Sequence, residues 1–148
     1  MNNTRMVKMV GKEKLENYLK AILKIQTIYG SVRGIDISRE LDVSKPTVSV
    51  AVHELEKEGY VDCINSSNII LTKKGAELAN KIKSKYCFFL SMLRYLGVED
   101  KKAKNDACKM EHSVSDESYQ ALYKFFSCYL EREEDLQQTD MGMKDYFF

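Results

Sequence analysis

The run ACKMEH at 107–112 gathers a thiol, a carboxylate and an imidazole at Cys108, Glu111 and His112. On a helix these positions are i, i+3 and i+4 and share one face. Such a donor set suits a borderline-soft divalent transition metal, and a thiolate favours Fe(II), Co(II), Ni(II) or Zn(II) over Mn(II). The spacing alone is a weak signal, because a lone histidine more often has a structural role. Read as an enzyme, Cys108 and His112 would form a nucleophile–base dyad. Both lie on one helix, however, with no orienting third group and no Gly-rich loop for an oxyanion hole, so no enzymatic activity is expected. A thiol-responsive role for Cys108 is a separate alternative, since nearby lysines favour the reactive thiolate.

A second stretch, SKPTVSVAVHELEKEGYV at 44–61, carries the only proline of the chain, Pro46. Proline costs about 3 kcal/mol inside a helix but little in the first turn, where its missing N–H has no partner. With Ser44 as N-cap, Pro46 falls in that turn, and Gly59 supplies the stop. Val48, Ala51, Val52 and Leu55 then make a core face. Pro46, Ser49, Val50, His53 and Lys57 lie opposite, flanked by Lys45 and Thr47. That lightly charged, hydrogen-bonding surface with one branched apolar residue suits base-pair edges. Taken alone, it is more often an ordinary exposed helix face.

The elements around these two stretches decide between the readings. Residues 12–29 place Leu15, Tyr18, Leu19, Ile22 and Ile25 on a helical stripe that Gly30 ends. A short helix at 35–41 turns inward at Ile37 and Leu41, and DVS at 42–44 is a tight turn. Helix, turn and capped helix form a helix-turn-helix. YVDCI and NIILT, around the polar NSSN at 65–68, then predict a small hairpin. The sequence therefore predicts a mainly α fold: a winged helix-turn-helix of three helices and a two-stranded wing, followed by a helical dimerisation domain. The expected boundaries are 1–74 for the first domain, 75–135 for the second and 136–148 for a charged, mobile tail.

The second domain begins with a long helix over 73–96, with Leu78, Ile82, Phe89, Leu93 and Leu96 on one stripe. Another follows at 99–111, and a last one is capped by Ser115. In the last helix Tyr119, Leu122, Tyr123, Phe126, Tyr129 and Leu130 recur at helical spacing, more than one short helix needs for its own packing. They are expected to serve as core plus a homodimer interface, against the simpler alternative of intrachain core alone.

Charge and cysteine usage narrow the partners. Residues 1–85 carry 15 Lys and Arg against 10 Asp and Glu, while residues 86–148 carry 8 against 12. The mild basic lean of the first half favours a polyanionic partner there. The four cysteines form no CxxC pair and the N-terminus has no apolar signal core. The most apolar run, YCFFLSML at 86–93, is far shorter than the roughly 20 residues a spanning helix needs. A cytoplasmic protein with reduced thiols and no membrane partner is expected.

ENYLKAI (16–22), SRELDVSKPTVSVAVHELEKEGYV (38–61), LTKKGAELA (71–79), LGV (96–98) and NDACKMEHSVSDE (105–117) together carry a resemblance. Residues 15–130 resemble the diphtheria-toxin-repressor family of iron- and manganese-dependent transcriptional repressors, in a short form without the SH3-like domain. The resemblance implies a repressor that binds double-stranded DNA as a homodimer under control of a divalent metal. It places the iron-type metal ligands on Cys108, Glu111 and His112, with a fourth, weaker donor at Asn17. The positions of the family's second site are Tyr86, Leu90 and Lys104, and a manganese-type glutamate position is Lys20. At most one ion per chain is therefore expected, Fe(II)-type rather than Mn(II), with Lys104 opposing a bound cation from one turn away. The alternative is a metal-independent regulator of the same fold with a degenerate metal site, possibly thiol- or redox-responsive at Cys108. Pro46, Ser49, Val50 and His53 are expected in the major groove, with Arg33, Arg39, Lys45 and Thr47 on phosphates.

Overall fold

The computed structural model describes residues 3–65 and 67–137. Along them run α1 (Asn3–Tyr29), α2 (Gly34–Leu41), α3 (Lys45–Lys57), β1 (Val61–Asn65), β2 (Asn68–Leu71), α4 (Lys73–Tyr95), α5 (Asp100–Ser113) and α6 (Asp116–Gln137). This is the mainly helical winged fold expected. The chain divides into two compact units, Met1–Ile82 and Lys83–Phe148. The expected mobile tail falls mostly outside the described residues.

In the first unit, Tyr18, Leu19, Ile22 and Ile25 of α1 bury their stripe against Ile37, Val48, Ala51, Leu55 and the wing residues Val61, Ile69 and Leu71. α1 starts at Asn3, well before the expected residue 12. No proline interrupts residues 3–11, so backbone propensity extends the helix past its apolar stripe. Asp42 closes α2 at φ 51°, a left-handed conformation that Asp tolerates better than most residues. The Ser38 hydroxyl donates to Val43 O at 2.6 Å, which fixes the turn into α3. Ser44 Oγ accepts the Thr47 N–H at 3.3 Å, so Pro46 sits in the first turn as its chemistry requires.

The wing is tied down at its base. β1 and β2 pair antiparallel, Val61 opposite Leu71 and Cys63 opposite Ile69, with an irregularity before Asn65. The Ile69 N–H donates to Val32 O at 2.9 Å and the Thr72 N–H to Tyr60 O at 3.0 Å. The Thr72 hydroxyl donates to Gly59 O at 2.7 Å and accepts the Gly75 N–H at 3.1 Å. Gly75 lies so close to this crossing that a Cβ there would stand 1.9 Å from Tyr60 O.

The second unit packs Phe88, Phe89 and Leu90 of α4 against Ala103 and Ala107, whose small side chains let α5 lie close. Tyr119 and Phe126 of α6 meet the Phe88 ring edge-on, at 5.5 and 6.2 Å. Lys85, almost wholly buried, donates to Val114 O at 3.0 Å and pairs with Asp116 at 2.7 Å, fastening the α5–α6 turn to α4. Leu96 was expected on the inward stripe of α4, but it is 64% exposed. The helix stops at Tyr95, and Gly97 at φ 82° turns the chain away before Leu96 can face inward.

Gly75→Ala should therefore lower stability by on the order of 3 kcal/mol in urea unfolding, because backbone rather than a flexible side chain must give way. Gly11→Ala, with nothing within 4 Å of the added carbon, should be neutral or slightly stabilising.

Candidate functional site

On α3 the core face is Val48, Ala51, Val52 and Leu55, all buried. Pro46, Ser49, Val50 and His53 are exposed, and Val50 shows 62% of its surface to solvent. Four of the expected DNA residues come together: Arg33, Lys45, Ser49 and His53 line one groove of about 520 Å³. Asn65 and Ser67 of the wing line it too, and Val52 and Ile69 contribute apolar surface. Pro46, Val50, Thr47 and Arg39 do not line it. Thr47 is half-buried, with its hydroxyl 2.7 Å from that of Ser44 in the helix cap. Arg39 is exposed on α2.

Arg33 is not an isolated cation. Its Nε and Nη2 donate to the Asp36 carboxylate at 2.9 and 3.0 Å, and its backbone N–H donates to the same carboxylate at 3.1 Å. The hydrogen bond to Arg33 holds the Asp36 carboxyl below its usual range, and the same bond raises the Arg33 pKa. The pair is therefore intact at neutral pH and is lost only as pH falls through the lowered carboxyl value. Reading residues singly missed Asp36. Its i, i+3 spacing from a helix-capping position was the available signal.

The metal candidates lie on α5. The ligand atoms of Cys108, Glu111 and His112 all fall within 4.8 Å of one another, the only such cluster of His, Cys, Asp and Glu among the described residues. His112 Nε2 is 3.0 Å from Glu111 Oε1, and Cys108 Sγ lies 3.9 Å from the same oxygen. The Glu111 and His112 side chains are 0% and 3% exposed. Three donors held this close, two of them shielded from water and Cys108 partly buried, fit a divalent ion bonded at about 2.0–2.3 Å after slight closure. Asn17 is half-buried on α1, in the first unit.

Lys104 does not aim its charge at this cluster. Its Nζ pairs with Asp100 at 2.7 Å, and Arg94 Nε donates to the other oxygen of that carboxylate at 2.8 Å. The opposing cation expected beside Cys108 is thus partnered one turn away. Of the other second-site positions, Leu90 is buried in the core and Tyr86 packs against it.

Residues 12–67 match the iron dependent repressor N-terminal DNA binding domain, and residues 72–134 match the iron dependent repressor metal binding and dimerisation domain. The chain belongs to the iron dependent repressor family. The transcriptional regulator MntR of Salmonella typhimurium is 31% identical over 114 residues, covering 77% of this chain and 73% of that protein. Among solved structures, the manganese regulator SloR superposes with a TM-score of 0.67 at 29% identity, and T. acidophilum IdeR with 0.64 at 25%. Each comparison covers 76% of this chain, which spans about half the length of those structures, at 53%. Among the described residues no helix is long and apolar enough to cross a membrane.

Among the described residues, one apolar face of α6 is partly exposed. Leu122, Phe125 and Tyr129 share a face of α6 and are 39%, 70% and 45% exposed. Phe126, one residue on, is half-buried against Phe88 and Tyr95. Phe126→Glu should abolish the near-UV circular dichroism of the aromatic cluster, because a carboxylate cannot replace that packing. Phe125→Glu should leave the signal close to that of the unmodified protein.

Proposed function

We propose that the protein is a transcriptional repressor that binds double-stranded DNA as a homodimer, under control of one divalent transition metal per chain. It would act in the cytoplasm and catalyse no reaction. Residues 1–74 would carry the DNA contacts and residues 75–135 the metal and the dimer contacts. The observation that carries the reading is the close cluster of thiol, carboxylate and imidazole on α5, in a chain that also exposes a lightly charged helix face.

Cys108, Glu111 and His112 would hold the ion, and Fe(II) is favoured over Mn(II) because one donor is a thiolate. When bound, a divalent ion supplies the positive charge that keeps Cys108 deprotonated and draws the three donors together. Binding requires Cys108 to lose its proton, Glu111 to be ionised and His112 to present a neutral nitrogen. Affinity should therefore weaken as pH falls. Metal can alter DNA binding only if the DNA-competent form holds it more tightly than the other form does.

At the DNA, Ser49, Val50, His53 and Pro46 would face base edges, while Lys45, Arg33, Arg39 and Thr47 would meet phosphates. Two such units related by a two-fold axis would read two half-sites, and the Leu122–Phe125–Tyr129 face of α6 is the apolar surface available for pairing.

Three measurements test this. Selection of DNA from a genomic fragment library should fail in chelator and succeed when Fe²⁺ is restored, with Mn²⁺, Zn²⁺ and Co²⁺ as parallel arms; binding unchanged in chelator favours the metal-independent regulator. Isothermal titration should find one site, abolished or weakened at least tenfold in Cys108→Ser, and Asn17→Ala shows whether α1 adds a donor. Lys45→Ala should weaken binding to all sequences and reduce the salt slope by about 1, whereas Val50→Ala should relax preference at one base pair.

A further inference from the structure

Arg33 and Asp36 form the most completely specified charged pair on the surface that lines the groove. Both carboxylate oxygens are used, one on Nη2 and the other on Nε and on the arginine's own backbone N–H. A long, flexible side chain is thereby held along the start of α2, although its side chain remains 56% exposed. The pair engages the Nε and Nη2 side of the guanidinium and leaves the Nη1 edge of the fork for another acceptor. That guanidinium borders the same groove as Lys45, Ser49 and His53 of α3 and Asn65 and Ser67 of the wing. We propose that Asp36 is a positioning residue for DNA: it holds the Arg33 guanidinium ready for a backbone phosphate beside α3. The inference rests on the DNA-binding reading above.

The physical argument is preorganisation. An unpaired arginine loses most of its rotamer freedom when it meets a phosphate, and that loss subtracts from affinity. The bonds to Asp36 already restrict that freedom for Arg33 in the free protein. A second carboxylate acceptor elsewhere would serve the fold equally well, but it would not hold the fork in this place. The lowered carboxyl pKa of Asp36 agrees with a pair that stays ionised where DNA is bound.

The sign of one substitution separates this role from simple electrostatics. Removing a carboxylate from a DNA-facing surface should strengthen binding through charge alone. If Asp36 positions Arg33, Asp36→Asn should instead weaken it. Asparagine keeps an acceptor for the helix start, so the fold is retained.

The experiment is a double-mutant cycle with Arg33→Ala and Asp36→Asn, singly and together. The probe is a duplex enriched from a random-sequence pool by the unmodified protein, measured in the enrichment buffer. Asp36→Asn is expected to weaken binding on the order of 3- to 10-fold with Arg33 present. In the Arg33→Ala background it should have no weakening effect. Equal weakening in both backgrounds would mean a purely structural role, and unchanged or tighter binding with Arg33 intact would mean that charge alone governs the site; either overturns the proposal. Failure to enrich any duplex, in any metal, overturns the DNA-binding reading itself and the proposal with it.

Discussion

The carbonyl oxygen of Tyr60 is the point on which the first unit turns. It accepts the N–H of Thr72, and Gly75 passes so near that no side-chain carbon fits between them. Thr72 completes the crossing, since its hydroxyl both donates to Gly59 and accepts from Gly75. The end of α3, the base of the wing and the first turn of α4 therefore meet within a few ångströms. A shift of the wing by one residue would turn Val61, Ile69 and Leu71 out of the core, and this crossing opposes such a slip. Lys74 reinforces it from outside, donating to Glu58 O and lying 4.2 Å from the centre of the Tyr60 ring.

Around that fixed point the chain separates two kinds of polar chemistry. On the groove side the polar groups are exposed and held by short local bonds, as in Arg33 with Asp36 and Ser44 with Thr47. In the second unit the important polar groups are buried: Lys85 fastens the end of α5, and Glu111 and His112 stand shielded beside it in sequence. The first arrangement suits a polyanion that arrives from solvent. The second suits a small ion whose binding depends on desolvated donors. The free thiol of Cys63 borders the groove, where burial and the neighbouring Glu56 push its pKa up and make its reactive form scarce.

Much of this was legible in the sequence because it rests on periodicity and caps. The apolar stripes of α1 and α3, the Ser44 cap, the stop at Gly59 and the switch to alternating strands are local signals, and each appears where the residues require. The cluster of Cys108, Glu111 and His112 was legible for the same reason, since i, i+3 and i+4 on one helix fix the separation of these side chains. What the sequence hid depends on where a neighbouring chain segment passes. Leu96 continues an apolar stripe, yet it lies beyond the last helical residue. Phe125 and Phe126 look alike in composition, but about 100° of helical rotation puts one in solvent and the other against Phe88 and Tyr95. Lys104 read as a charge against Cys108 because its partner Asp100 lies one turn in the other direction.

The hydrogen bond from Ile69 to Val32 has a consequence for how the wing opens. A two-stranded hairpin alone in water is marginal, and its amides would exchange with solvent almost freely. Here the second strand is bonded to the segment between α1 and α2 as well as to its partner strand, and its inward residues belong to the α1–α3 core. The wing therefore cannot fray without disturbing Val32, which is itself fully buried. In hydrogen-exchange terms, its inner amides and those of α3 should behave as one cooperative unit and open together. The flank of the groove should then be as long-lived as the helix that faces it.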